Sequence, residues 1–386
     1  MRRDQANPAD GARLRRLCLV ISTLGAGGAE RVLSTLANWW AAAGHSITLV
    51  TLSDGSDDFY WLDERIERIA LGVMQPTRQP HEAVFRNLRR IRALRKAIVA
   101  SRADVVISFI DTVNVLTLLA TRRLGILTIV SERVDPRAHP IGWAWTLLRG
   151  LTYTGAYAVV VQTRSVAEWM MESMRLRRCV VITNPLSLTL SMQHEPVTAC
   201  DEAGRRHVLM AMGRLVEQKG FDLLLDAFAS AGARESGWRL VVIGDGPQRE
   251  ALQERARTLG VSDIVEFAGR VDQPEPLLRT AGIFVLSSRY EGFPNALLEA
   301  MAVGTACVAF DCRSGPSDII RNGVDGVLVP PEDVAALTAA IKALMRDDVA
   351  RARLAARAKE VRERFSIERI ATQWGALIED ATESSR

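Results

Sequence analysis

Short apolar runs with a strand-like composition alternate with helical stretches along the whole chain, and this alternation restricts the fold more than any other feature. RLCLVIS at 16–22, DVVISFI at 104–110 and HVLMAMG at 207–213 are each followed by a turn and a stretch with helical periodicity. Repeated strand–helix units of this kind place strands in parallel, with the helices as crossovers. The sequence therefore predicts an α/β protein with doubly wound parallel sheets.

The alternation weakens once, in a polar segment without pattern at residues 186–206. The chain has 386 residues, which is too long for one ordinary domain and suits two domains of roughly 190 residues. The predicted divisions are a polar tail at 1–15, an N-terminal Rossmann-like domain at 16–190, a linker at 191–206, a C-terminal Rossmann-like domain at 207–365, and a helix and tail at 366–386 that could cross back to the N-terminal domain.

Charge is divided unevenly between the two halves. Residues 1–190 carry 25 Lys and Arg against 16 Asp and Glu, whereas the remaining residues carry 24 against 29. A basic first half indicates a partner with negative charge, such as phosphates, lipid headgroups or nucleic acid. The five scattered cysteines include no C-x-x-C pair, which predicts reduced thiols and neither a disulfide framework nor a zinc site. The sequence has no apolar signal-peptide core and no clean apolar run of about 20 residues, so we expect a cytoplasmic protein.

Several predicted strands end in turns that suit phosphate binding. In open α/β sheets, ligands bind beyond the carboxyl ends of the strands, and with two such domains the expected site is the cleft between them. Each turn alone is also consistent with surface solvation or an ordinary tight turn, and none matches the dinucleotide or Walker pattern. Together they indicate a nucleotide-diphosphate ligand. The turns are GAGGAE at 25–30 with Gly27 and Gly28, GRLVEQKG at 213–220 with Arg214 and Lys219, GDGPQREAL at 244–252 with Gly246, and SGPSD at 314–318.

Two glutamates, Glu291 and Glu299, bracket a predicted helix start in SSRYEGFPNALLEAMAVGTACVAFD at 287–311. Gly292 disfavours helix, and Pro294 suits the first helical position, which puts Glu291 in a loop and Glu299 about two turns into the helix. Free N–H groups at a helix start attract phosphates, and carboxylates accept hydrogen bonds from sugar hydroxyls. The alternative is a solvated loop acid and a helix acid paired with an arginine.

In these motifs the chain resembles family 4 of the retaining glycosyltransferases, which have the GT-B fold of two Rossmann-like domains facing a central cleft. The resemblance covers nearly the whole chain and is tightest over residues 208–330. Its most specific mark is the spacing of seven residues between Glu291 and Glu299. The matching segments are GGAER (27–31), GRLVEQKG (213–220), LVVIGDGPQREAL (240–252), FAGRV (267–271), the segment 287–311 and GVDGVLVPPED (323–333).

The resemblance implies roles for particular residues. Glu291, Arg214 and Lys219 would be catalytic: Glu291 would bind hydroxyls of the donor sugar, and the two cations would neutralise the departing diphosphate. Glu299 would bind the nucleotide ribose. No metal and no cofactor are implied, because cations and helix amides replace the metal. The other donor-binding positions are Gly27, Gly28, Gly246, Arg270, Val271, Gly292, Phe293, Pro294 and Asn295.

The chain departs from the family after a mid-sheet strand of the first domain, where some relatives carry a histidine close to the donor sugar. Ser131, Glu132 and Arg133 occupy that position. We predict that Glu132 or Arg133 lines the acceptor or donor pocket. His139 follows further along and is expected to be an ordinary loop histidine.

The acceptor is indicated mainly by a basic amphipathic stretch at 85–102, FRNLRRIRALRKAIVASR. Such a stretch suits a membrane surface, and equally a solvated helix face. The resemblance includes enzymes that extend glycans linked to lipid diphosphates. We therefore expect a hexosyltransferase that moves a hexose or N-acetylhexosamine from a UDP-sugar to a lipid-linked glycan, peripherally at the inner face of the plasma membrane.

Three alternatives remain open at this point. The first is a cytosolic transferase with a soluble small-molecule or glucan acceptor. The second is a non-catalytic GT-B subunit, which the presence of both glutamates and both cations disfavours. The third is a nucleic-acid binder, which the lack of aromatic residues interleaved with the basic ones and of a binding motif disfavours.

Overall fold

The computed structural model describes residues 13–74, 80–187 and 207–383. The predicted tail up to residue 12 and the predicted linker at 191–206 lie outside the described residues. The described chain forms two compact units. The first consists of residues up to Ser187 together with those from Ile367 onward, and the second consists of the residues between them.

The first unit contains a seven-stranded parallel sheet. Its strands are β1 (Arg16–Ile21), β2 (Ser46–Thr51), β3 (Glu67–Ala70), β4 (Val105–Phe109), β5 (Leu127–Ser131), β6 (Ala158–Val161) and β7 (Cys179–Val181). Their spatial order is β3-β2-β1-β4-β5-β6-β7. The edge strands β3 and β7 are short, with four and three residues, and have no fully buried residue.

Helices cover both faces of this sheet, as expected for a doubly wound fold. They are α1 (Gly28–Ala42), α2 (Pro80–Ser101), α3 (Asp111–Thr121), α4 (Trp143–Thr152) and α5 (Arg164–Ser173). The C-terminal helix, Ile367–Glu383, belongs to this unit and packs beside α1. Its Trp374 ring lies edge-on to Trp40, with 6.2 Å between ring centroids, and stacks on Phe109 at 6.1 Å. The end of the chain therefore completes the core of the first unit.

The second unit contains a six-stranded parallel sheet. Its strands are β8 (Val208–Met212), β9 (Arg239–Ile243), β10 (Val265–Gly269), β11 (Ile283–Leu286), β12 (Ala306–Phe310) and β13 (Val327–Val329). Their spatial order is β10-β9-β8-β11-β12-β13. The helices are α6 (Phe221–Ser230), α7 (Arg249–Thr258), α8 (Glu275–Leu278), α9 (Asn295–Val303), α10 (Pro316–Ile319), α11 (Val334–Arg346), α12 (Asp348–Ala358) and α13 (Val361–Arg364). The predicted α/β architecture with two doubly wound sheets is confirmed.

The strand order reverses at an equivalent place in each sheet. In the first unit the chain moves outward from β1 to β3 and then returns to β4 beside β1, and in the second it moves outward from β8 to β10 and returns to β11 beside β8. At such a switch point the loops after two neighbouring strands leave in opposite directions, which opens a crevice at the carboxyl ends of the strands. The segments 213–220 and 287–294 are the two loops at the switch point of the second unit.

Candidate functional site

The loops that follow β8 and β11 are tied together at the switch point of the second unit. The Arg289 amide donates to the carbonyl of Gln218 at 2.8 Å, and Ser287 Oγ donates to the carbonyl of Lys219 at 2.9 Å. Gly220 permits this approach, since its φ is +59° and a Cβ at this position would lie 2.1 Å from the carbonyl oxygen of Ser287. A larger residue at 220 would push the two loops apart.

This contact brings Lys219 and Glu291 together across 72 residues of sequence. Lys219 Nζ lies 2.6 Å from Glu291 Oε1, and Ser288 Oγ donates to the same oxygen at 2.6 Å. The Glu291 side chain is 6% exposed and that of Lys219 is 21% exposed. Because burying an ion is costly unless it is paired, this is a specific arrangement and not a chance contact of two solvated groups. Glu291 is therefore not the solvated loop acid that the alternative interpretation proposed.

The segment from Glu291 to Pro294 is buried and leads into α9. The helix begins at Asn295, one residue later than predicted, because Pro294 has a ψ of 87° and stands just before the first turn. The carbonyl of Pro294 accepts hydrogen bonds from the amides of Leu297 and Leu298. Pro294, the residue just before this helix, supplies no side-chain cap, and N–H groups at a helix start attract anions.

Glu299 is buried on the same helix. It is the fifth residue of α9, so it lies just over one turn from the start of the helix and not about two turns as predicted; the later start at Asn295 accounts for only one residue of this difference. A carboxylate in the N-terminal half of a helix is favoured by the helix dipole. The predicted contact of Glu299 with a ribose stays a prediction.

The loop after β12 joins the same region. Ser314 Oγ donates to the carbonyl of Gly292 at 3.3 Å, and the pKa of the Cys312 thiol is raised to about 12 by burial and by the negative charge of Glu291. Phe293 is buried and its ring lies 5.7 Å from that of Phe365. Three loops from three adjacent strands thus enclose Glu291.

The remaining predicted donor-binding residues of the second unit lie at the same edge of the sheet, on other loops. Arg214 is exposed, two residues after β8. Arg270 and Val271 follow β10, which is two strand spacings, or about 10 Å, from β8. Gly246 has a packing role, because a Cβ on it would lie 2.5 Å from the carbonyl oxygen of Leu215. The structure therefore groups Lys219 with Glu291 and places Arg270 and Val271, two of the predicted donor-binding residues, further along the edge.

The residues that hold the two loops in place were not among the predicted site residues. Arg289 binds the Asp222 carboxylate through both terminal nitrogens, at 2.9 and 2.7 Å. Burial opposes ionisation of Asp222, but the hydrogen bonds from Arg289 outweigh it and lower the Asp222 pKa. Ser288 was also missed. A serine three residues before a loop glutamate is a local hydrogen-bonding signal that could have indicated it.

In the first unit, the carboxylate of Glu30 on α1 fills the space beside the glycine turn that precedes this helix. Gly27 immediately precedes α1, and Gly28 is the first residue of that helix. A Cβ on Gly27 would lie 2.1 Å from Glu30 Oε2, so the glycine makes room for that carboxylate. Burial raises the pKa of Glu30. The predicted approach of Gly27 and Gly28 to a phosphate stays a prediction.

Arg133 follows β5 as a buried guanidinium with unused donors. Its Cζ lies 4.0 Å from the centroid of the Phe109 ring, and its Nη1 donates to Ser131 Oγ at 3.3 Å. Its Nε and Nη2 are buried and have no hydrogen-bond partner in the part of the chain that the structure describes. Burial lowers its pKa to about 9, against the opposing charge of Glu30. These spare donors suit an anionic group of a ligand.

Glu132 points into a buried polar network. Tyr153 Oη donates to Glu132 Oε1 at 2.5 Å, Arg149 Nη1 lies 3.8 Å from the same oxygen, and Asn114 Nδ2 donates to Tyr153 Oη at 3.1 Å. Burial raises the Glu132 pKa to about 7, although Arg149 and Tyr153 act in the opposite direction. Of the two residues predicted to line a pocket, Arg133 has unused donors and Glu132 is engaged in the interior. His139 is half-exposed, 4.0 Å from Asp111.

The titration of Glu132 predicts a pH-dependent stability. Its folded pKa is raised, so the native state binds more protons than the unfolded state between pH 4.5 and about 7, and its contribution is present at low pH and lost as pH rises through 7. We expect the free energy of unfolding, measured with urea, to fall by up to about 3 kcal/mol more between pH 5 and pH 8 in the wild type than in Glu132→Gln. The exposed Glu172→Gln is the matched control. Equal slopes for wild type and Glu132→Gln would contradict this account.

Two family models match the chain. The model described as glycosyl transferase 4-like domain matches residues 27–185, and the model described as glycosyl transferases group 1 matches residues 201–361. The chain belongs to the glycosyltransferases. Its predicted membership of this class is confirmed.

Relatives of this glycosyltransferase support the same conclusion. It is 28% identical to the GalNAc-alpha-(1->4)-GalNAc-alpha-(1->3)-diNAcBac-PP-undecaprenol alpha-1,4-N-acetyl-D-galactosaminyltransferase of Campylobacter jejuni, over 95% of this chain and 98% of the relative. It is 26% identical to the amylovoran biosynthesis glycosyltransferase AmsD of Erwinia amylovora, over 94% of this chain and 99% of the relative. The relatives thus include glycosyltransferases of polysaccharide synthesis and one named for a lipid-linked glycan.

A solved structure shows the same fold. The glycosyltransferase matches Anabaena HepE, solved in complex with UDP, with a TM-score of 0.74 and 16% identity, over 95% of this chain and 100% of HepE. The predicted GT-B fold is confirmed.

Proposed function

We propose that this glycosyltransferase is a retaining hexosyltransferase of family 4 that transfers a sugar from a UDP-sugar to a lipid-linked glycan. The observation that carries the proposal is the Lys219–Glu291–Ser288 arrangement at the switch point of the second sheet. A sugar joined to a diphosphate presents hydroxyl donors next to negative charge. A buried carboxylate held against an ammonium group offers the complementary pair, an acceptor for hydroxyls and a cation for phosphate.

The reaction breaks the bond between the anomeric carbon and the phosphate oxygen. Negative charge then develops on the departing diphosphate, where Lys219 and Arg214 would stabilise it together with the amides at the start of α9. One such preorganised group contributes about 2.7–4 kcal/mol to lowering the barrier. The acceptor hydroxyl attacks on the same face of the sugar, forms the new glycosidic bond and passes its proton to the departing phosphate. Glu299 would bind the ribose, and Arg270 and Val271 would lie near the base.

The donor and acceptor are proposed from similarity and charge. HepE is solved with UDP, and the Campylobacter jejuni relative is named for transfer to a glycan on undecaprenol diphosphate. The basic first half of the chain suits an anionic membrane surface. We therefore place the enzyme peripherally at the inner face of the plasma membrane, in cell-surface glycan assembly.

A donor panel tests this proposal. The purified full chain is incubated with radiolabelled UDP-, GDP- and ADP-sugars and a membrane lipid extract, and the label is partitioned between butanol and water. We expect label to enter the butanol phase from one UDP-sugar. Transfer or slow hydrolysis seen only in the water phase would indicate a soluble acceptor, and no turnover of any donor would favour a non-catalytic subunit.

We also expect catalysis without a metal ion. Lys219, Arg214 and the helix amides supply positive charge where a divalent cation would otherwise act, so turnover after desalting into EDTA should stay within about twofold of the untreated enzyme. The measurement is the initial rate of transfer with the sugar donor that the donor panel identifies. Loss of activity that Mg²⁺ or Mn²⁺ restores would contradict the metal-free mechanism.

A further inference from the structure

Exposed large apolar side chains are concentrated in the first unit. Of the fourteen such side chains among the described residues, twelve belong to this unit, and seven of those lie on only two helices, α2 and α4. Single exposed apolar residues are normal on a protein surface, whereas a continuous group marks an interaction site.

The helix α4 has inverted polarity: three of its large apolar side chains are exposed and its charged residue is buried. Trp143, Leu147 and Leu151 are 83%, 56% and 65% exposed, and their spacing of four residues places them along one side of the helix. The only charged residue of α4, Arg149, is 3% exposed and faces Glu132 in the interior. The outward surface of α4 therefore consists of apolar and small uncharged residues and carries no charge.

This inverted helix is held rigidly. Trp145 packs into the core beside α3, and Arg149 lies 3.8 Å from the Glu132 carboxylate, which also binds Tyr153. The apolar ridge formed by Trp143, Leu147 and Leu151 is thus presented outward by contacts on the opposite side of the helix. A ridge that is fixed in this way does not fold back to hide its apolar surface, so a partner is needed to cover it.

The first turns of α2 extend the same surface. Val84, Phe85 and Leu88 are exposed there, and exposed basic residues follow at Arg89 and Arg92. In a parallel sheet each crossover helix starts near the carboxyl ends of the strands, so the first turns of α2 and α4 lie at the same end of the first unit. Both helices flank α3. Arg90 of α2 and Trp145 of α4 line one pocket of ≈ 240 Å³, so the two helices border the same part of the surface.

The positive charge of α2 indicates which kind of partner this surface would bind. The helix α2 carries six Lys and Arg against one Glu, so a symmetric dimer through this face would bring two strongly basic helices together. An anionic lipid surface attracts such residues electrostatically, and it accepts an apolar ridge with a tryptophan at its edge. Within the described residues, no helix is both long enough and apolar enough to cross a bilayer.

We propose that the ridge of α4 and the first turns of α2 form a docking face for an anionic phospholipid leaflet. The ridge enters the apolar boundary of the leaflet while the basic side chains of α2 contact headgroups. This inference rests on the proposed lipid-linked acceptor and specifies which face of the first unit meets the membrane that carries it.

Vesicle flotation of the full chain tests the docking face, with no sugar donor present. The vesicles contain either phosphatidylcholine alone or phosphatidylcholine with 40% phosphatidylglycerol. We expect the wild type to float with anionic vesicles and the variant Trp143→Ser/Leu147→Ser/Leu151→Ser to bind them at least tenfold more weakly. The matched control is Val324→Ser/Val349→Ser, which removes the two exposed large apolar side chains found in the described part of the second unit and should bind like wild type.

A charge variant and a folding check complete the test. Arg89→Ala/Arg92→Ala/Lys96→Ala should lose the preference for anionic over neutral vesicles, and all variants should keep the wild-type melting temperature and UDP affinity. The proposal is overturned if the wild type does not float with anionic vesicles or if the ridge variant binds them as the wild type does. It is also overturned if sedimentation shows a dimer that the ridge variant dissociates. Vesicle binding without transfer of label to lipid would instead reject the proposed acceptor and leave the docking face intact.

Discussion

Glu291→Ala should lower kcat by about 10²–10³-fold while UDP affinity falls much less. Glu291 is the buried carboxylate at the switch point of the second sheet, and in the proposed mechanism it binds sugar hydroxyls as the bond to the diphosphate breaks. Losing one preorganised contact of this kind costs about 2.7–4 kcal/mol of barrier. Steady-state kinetics with the identified donor, together with calorimetric titration of UDP, measure the two effects separately.

Two further variants make this prediction specific to the carboxylate. Glu291→Gln keeps the shape of the side chain and an oxygen that can accept from Ser288 Oγ, so it separates loss of charge from loss of packing. Glu266→Ala removes an exposed carboxylate from β10 and should leave kcat unchanged. Wild-type turnover in Glu291→Ala would remove this residue from the reacting centre.

Lys219→Met should weaken UDP binding by about 10–100-fold and also slow transfer. A hydrogen bond to a charged group contributes about 1.5–3 kcal/mol, which corresponds to this range of affinity. The same substitution leaves the Glu291 carboxylate without its cation at 2.6 Å, so the melting temperature should fall as well. Calorimetry with UDP and thermal unfolding are the measurements.

A double-mutant cycle distinguishes the two roles of Lys219. If the ammonium group both orients Glu291 and binds phosphate, combining Lys219→Met with Glu291→Gln should cost less stability than the sum of the single changes, while UDP affinity stays low. Lys342→Met, on α11, replaces a lysine outside the site and serves as the control. Unchanged UDP affinity in Lys219→Met would show that this side chain does not reach the diphosphate.

The local pattern of the site could be predicted from the sequence because each part of it is encoded within a few residues. Gly292 and Pro294 end the loop and restrict where α9 can begin, which places Glu291 before the helix and Glu299 inside it. The exact start at Asn295 could not be predicted, since it depends on the ψ that Pro294 adopts when it packs against the loop of Gly315.

Other features depended on contacts between distant segments. The strands β3 and β7 have only four and three residues, too few for a periodic pattern to identify them, and hydrogen bonding to β2 and β6 places them in the sheet. The inverted polarity of α4 has the same origin. Its sequence is an apolar stretch broken by Arg149. The arginine points inward because Glu132, which follows β5, lies in the interior and faces it.

The α/β class, the two doubly wound sheets and the residues suited to a sugar diphosphate could be predicted from the sequence, because periodicity and turn chemistry are local properties. The contact between Lys219 and Glu291 depends instead on the tertiary structure. That contact requires β11 to return beside β8 after the chain has passed through β9 and β10, and strand order is set by the packing of whole units and not by any pattern within them. The placement of Trp374 against Trp40 likewise depends on packing between distant segments, since the apolar face of the C-terminal helix is buried in the core of the first unit beside α1.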